Sequence, residues 1–224
     1  MQGADVSCFP KACGLVISVL MFALKRLLLL LLIVFAVYCF WPRASSMTGF
    51  DPERMTELQI AVWKGSAGKQ SGSLVIPLFQ EYAGQYNLPP ISALKMAFDT
   101  ARALRLFHSS PDAADQEKAL MPLQVVFLTL KSNTKAGFDS TAAARIELTT
   151  WMLRADHAKR VQLTTAWAES ISLLYGHSAE ECLPAAKKFS IASKLADEGK
   201  WDEAKSNVLE AWKVIKSLSP PEKK

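Results

Sequence analysis

The chain has little of what known chemistries require. Its four cysteines (Cys8, Cys13, Cys39, Cys182) include no Cys-x-x-Cys pair, which leaves a zinc ribbon or thioredoxin-like site without ligands. Only Cys182 lies beyond residue 43, so that larger part cannot hold an internal disulfide. No glycine-flanked serine forms a nucleophile elbow, and no glycine-rich loop cradles a phosphate. Glu-x-x-His, the spacing that di-iron bundles use, does not occur. Eleven prolines and ten glycines in 224 residues are too few for a low-complexity linker. With 50% hydrophobic and 21% charged residues, the composition excludes a disordered polymer.

Positive charge is scarce where a nucleic-acid binder would need it. The net charge is +5, but residues 1–43 carry +3 of it through Lys11, Lys25, Arg26 and Arg43 against Asp5. The remainder carries only +2 and lacks the dense field that phosphate binding needs, so no nucleic-acid partner is expected.

What is present begins with one hydrophobic run, LLLLLLIVFAVYCFW, from Leu27 to Trp41. Its 15 residues span roughly 22 Å as a helix, short of a ~30 Å hydrocarbon core. Lys25 and Arg26 can snorkel, and residues 12–24 are themselves apolar, so the gap can be closed. Tyr38 and Trp41 suit the far interface. Residues 27–42 are read as a single-pass anchor in contact with lipid through 27–41, and residues 1–26 as a cytoplasmic or interfacial segment. Basic residues before the run outnumber Arg43 after it, which keeps the N-terminus in the cytoplasm and exports the rest across the inner membrane. The competing reading is a cleaved signal peptide with its site at Ala44-Ser45-Ser46. The length of the apolar stretch favours the anchor, and both readings export the remainder.

Beyond residue 48 no period-2 strand pattern stands out, while helix-start chemistry recurs. GFDPERMTELQIAVW (Gly49–Trp63) aligns without a gap on GFDSTAAARIELTTW (Gly137–Trp151), at an offset of 88 residues. Gln59 faces Glu147 and Trp63 faces Trp151; further on, Glu81 meets Glu169, and Tyr86 meets Tyr175 after one residue of slip. The pattern predicts an all-α domain: an eight-helix bundle of two duplicated four-helix units, 49–136 and 137–224.

Local signals place the helices. Asp51 caps the first, which runs to about Trp63 before Gly65, Gly68 and Gly72 weaken it; the second covers Leu74–Tyr86. Pro89-Pro90 opens the third, and Ser110-Pro111 a fourth that bends near Pro122. Asp139 caps the fifth, Val161–Tyr175 is the sixth, and Ser178 to Glu181 is a capping box for the seventh. Gly199-Lys200-Trp201-Asp202 turns into the eighth.

Spacing of four places Gln59 on one face with Trp63, and Glu147 with Trp151. Gln59 and Glu147 are therefore a candidate polar pair in the core, where a buried Glu147 needs a donor such as Gln59, an arginine or an indole N–H. Glu147, His157 and Glu169 are the remaining metal candidates, although Gln59 stands where a symmetric site needs an acid. No cofactor and no catalytic residue is assigned, since His108 and His177 sit at helix ends and Cys182 reads as a packed thiol. The run Leu195 to Ala204 is similar to the turn of a tetratricopeptide hairpin, which raises a peptide-binding alternative. Trp201 and Trp212 are candidates for a partner surface, since exposed tryptophans dominate binding hot spots.

The Gly-Phe-Asp-Pro start with Trp63 at fixed distance, and the second Phe138-Asp139…Glu147…Trp151 block, resemble a group of uncharacterised bacterial membrane-anchored helical proteins. The resemblance covers roughly residues 49–175; it implies an N-terminal hydrophobic helix and an all-helical remainder, and no activity. That group favours an acid at the position of Gln59 and aromatics near Ser66, where this chain departs. The leading expectation is a non-enzymatic, membrane-anchored accessory or scaffold binding another envelope protein. A metal- or small-ligand-binding bundle is the alternative.

Overall fold

A computed structural model describes residues 10–41, 43–68, 71–109, 112–156 and 159–218. Expectations that fall on residues 1–9, on Ser110 and Pro111, on His157 and on 219–224 lie outside the described residues. The chain divides into two compact units, Met1–Trp41 and Pro42–Lys224. Among the described residues every regular element is helical.

The first unit contains one helix, α1 (Pro10–Phe40). From Leu27 to Phe35 each side chain is 51% to 64% exposed. Among the described residues no helix is long and apolar enough to cross a membrane.

The second unit holds α2 (Pro52–Ala67), α3 (Ser71–Gln80) continued by a π turn (Glu81–Gln85), α4 (Pro90–Ser109), the short α5 (Ala113–Gln116) with a 3-10 turn (Glu117–Ala119), α6 (Leu120–Thr134), α7 (Ser140–Ala155), α8 (Arg160–Tyr175), α9 (Ala179–Asp197) and α10 (Trp201–Leu218). The longer helices pack mainly on their neighbours in the chain, and α10 returns to lie against α2. That return closes a ring, and the apolar faces of the helices point into it.

Caps set the ends of these helices. The Asp51 carboxylate accepts the Glu53 N–H at 2.9 Å, with Pro52 in the first helical position, where its missing N–H costs nothing. Asp139 accepts from Thr141 and Ala142 at 2.8 and 3.2 Å. Ser178 and Glu181 form a reciprocal box at the start of α9. Asp139→Ala should cost about 1 kcal/mol, lowering the thermal midpoint by about 2–4 °C for a domain of this size. Differential scanning calorimetry checks it.

Two boundaries differ from the sequence expectation. Gly65 does not end α2, which continues to Ala67; it lets α3 approach, since a Cβ there would stand 2.6 Å from Leu74 Cδ2. Pro122 does not bend its helix either. It lies in the first turn of α6, where backbone N–H groups have no intrahelical partner, and the break falls upstream at the 3-10 turn. Gly199, at φ +76°, makes the left-handed turn between α9 and α10 that the Asp-Glu-Gly-Lys run announces.

Candidate functional site

The ring encloses a cavity of about 450 Å³ to which α2, α3 with its π turn, α4 and α6 to α10 all contribute side chains. Spacing explains how. On α2, Gln59, Val62, Trp63 and Ser66 recur at helical period and face inward; on α7, Glu147, Thr150, Trp151 and Arg154 do the same. Trp167 of α8, Phe189 of α9 and Trp212 of α10 complete an aromatic wall. The Phe189 ring lies 5.0 Å from that of Trp167 and 5.5 Å from that of Trp212. Phe107 meets Trp151 edge to face at 5.6 Å.

The candidate polar pair lines this cavity, but its members do not bond to each other. Trp151 Nε1 donates to Glu147 Oε1 at 2.7 Å, within one helix. Trp212 Nε1 donates to Gln59 Oε1 at 2.6 Å, tying α10 to α2. Each of these part-buried acceptors is thus met by an indole N–H.

A second acid faces the same space. Glu81 opens the π turn, and such turns inside helices concentrate at functional sites. Burial pushes its carboxyl from 4.5 up to about 7, and the charge of Glu147 adds to the rise. Burial also raises Glu147, partly offset by the Trp151 hydrogen bond. Tyr82, next along the turn, shares a 2.9 Å hydrogen bond with Thr100. The Tyr86 and Tyr175 hydroxyls act on each other, and burial holds all three phenols above their usual range. No pH near neutrality ionises them.

One end of the cavity is polar and reaches solvent. There the Ser66 hydroxyl lies 2.7 Å from His108 Nε2. The Arg154 guanidinium rests 4.1 Å over the Trp63 ring, its pKa lowered by burial, with Asp197 acting in the other direction. Asp197 itself pairs with Arg160 at 3.0 Å.

Several sequence candidates lie elsewhere. Glu169 is exposed and does not line the cavity, so it does not join Glu147; Ser170, one position on, points inward instead. His157 lies outside the described residues. Among the described residues no three His, Cys, Asp or Glu side chains come together as metal ligands. Trp212 is buried in the cavity wall and Trp201 is half-buried beneath the Lys64 ammonium, 5.2 Å from its ring, so Trp212 offers no partner surface and Trp201 only part of one. Cys182 is fully buried, and burial with the nearby Glu181 charge raises its thiol. The native chain should accordingly leave Cys182 unmodified by iodoacetamide at pH 7.5 until denaturant is added, as intact-mass spectrometry would read.

Sequence reasoning had Glu81 in view but not its place in the cavity, and passed over the polar mouth. The shared spacing of the α2 and α7 stripes was the available signal. Set against family models, curated proteins and solved structures, the chain matches none.

Proposed function

We propose that this protein is a membrane-anchored, non-enzymatic helical domain that binds one small organic molecule inside its ring of helices. The observation that carries the reading is the cavity: about 450 Å³, walled by aromatic rings, with few polar groups converging on it. The Trp167 indole N–H supports it as well, being buried without a partner among the described residues, in a residue of that wall.

The two-unit reading accounts for the cavity's lining. Asp51 and Asp139 cap α2 and α7 at the offset of 88, and both helices have 16 residues. Ser71 and Arg160, which open α3 and α8, stand 89 apart, so the one-residue slip belongs to the connection before them. On that register Trp63 corresponds to Trp151, Glu81 to Ser170, and Tyr86 to Tyr175, and all six side chains line the cavity. The duplication would make the cavity the seam between two copies. For the anchor, the support is the exposed leucine run of α1 with Lys25 and Arg26 before it.

Titrating the full chain in nonionic detergent with 4-phenylbutanol should change tryptophan emission saturably, at one molecule per chain. Ser170→Phe fills the cavity from α8 and should weaken binding at least about tenfold, as each buried CH2 of ligand is worth about 0.8 kcal/mol. Linear partitioning identical in the two proteins would remove the reading.

A protein partner is the second reading, favoured by the exposed apolar stripe Ile91, Leu94 and Phe98 on α4. Crosslinking in membranes should then give a specific adduct that Phe98→Glu removes.

A further inference from the structure

Resting on the small-molecule reading above, we infer that the ligand is an organic cation, a quaternary or protonated amine on an apolar body, with its charged head between Glu81 and Glu147. Two acids on different helices line one cavity, and among the described residues neither has a basic partner: Glu147 accepts only the Trp151 indole N–H. A buried carboxylate with no counter-charge is costly, and a ligand head carrying one positive charge offsets that cost. Trp63, Tyr82, Trp151 and Tyr175 line the same cavity, and aromatic rings attract an alkylammonium through their quadrupoles but not an anion. The cavity already shows the contact in one place, where the Arg154 guanidinium lies over Trp63.

The charged and titratable groups that share the cavity with Glu81 come from several elements. From α7 come Glu147, which opposes its ionisation, and Arg154, held on Trp63 near the mouth with Asp197 of α9 beside it. From α4 comes His108, bonded to Ser66 of α2 at the same mouth. From α8 comes Tyr175, and next to Glu81 stands Tyr82, bonded to Thr100. From α6 and α10 the lining side chains carry no charge. Empty, the pair sheds charge by keeping a proton on Glu81; a fixed cation displaces that proton into solvent.

The test uses the full chain in nonionic detergent and three probes sharing one apolar body: 4-phenylbutyltrimethylammonium, whose charge is independent of pH, 4-phenylbutanol and 4-phenylbutyrate. Calorimetry in two buffers of different ionisation enthalpy counts protons. The ammonium should bind at least tenfold more tightly than the alcohol. At pH 6 its binding should release close to one proton, and its affinity should rise about tenfold between pH 6 and pH 8, following the ionised fraction of a group titrating about 7. Glu81→Gln should abolish the proton release and the pH dependence while still binding the alcohol, which shows that the cavity is intact. Equal affinity for ammonium and alcohol, or a preference for the carboxylate, would overturn the cation and leave the small-molecule reading standing. Saturable binding of none of the three would overturn both.

Discussion

Between pH 5 and pH 8 the protein should lose about 2.5 kcal/mol of stability through Glu81 alone, from the rise of its carboxyl from 4.5 to about 7. Below about pH 4.5 the folded and unfolded chains both hold the proton, and nothing changes. Between 4.5 and 7 the unfolded chain has released it and the folded one has not, so unfolding sheds a proton and stability falls with rising pH. Above about 7 the loss is complete. At 2–4 °C per kcal/mol, that corresponds to roughly 5–10 °C in the thermal midpoint. Glu147 acts in the same direction. Glu81→Gln should flatten most of the profile, matching the parent at pH 5 and exceeding it at pH 8. Scanning calorimetry of both proteins across this range reads the difference, and parallel profiles would mean that Glu81 is not held in a dry site.

The largest mechanical effect is expected at Phe189. Its ring is 2% exposed and lies against both Trp167 and Trp212. Phe189→Ala removes a buried ring and leaves a void that stiff indoles cannot fill, at a cost of about 3–5 kcal/mol. The midpoint should drop by about 10 °C or more, and the urea midpoint should shift with the m-value unchanged. Trp201→Ala, at a half-exposed site under Lys64, should cost much less. Equal losses would mean that Phe189 is not part of the closed wall.

Much of the architecture could be read from the sequence because it is written in local chemistry. Asp51, Asp139 and the Ser178–Glu181 box announce helix starts that neighbours in the fold do not override. Placing the acids needed more than local chemistry. Pairing Glu81 with Glu169 assumes an unbroken offset of 88, whereas the starts of α3 and α8 stand 89 apart. One residue turns a helical side chain by about 100°, enough to send Glu169 to solvent and Ser170 inward. The π turn was hidden for a related reason: it depends on how α3 packs, and no residue in Glu81–Gln85 signals it alone. Trp212 looked like a binding anchor because composition does not say on which side of a helix wall an indole stands.

The return of α10 to α2 also bears on how the chain acquires its shape. The Trp212–Gln59 bond joins positions 153 residues apart, whereas nearly all other helix pairings are between elements close in sequence. Hairpins can form as they emerge from synthesis, yet the enclosure cannot be sealed until the last helix has been made and has found the first of the domain. Until then its indoles and both acids face water, and nascent chains would present a sticky open groove for a holdase to shield.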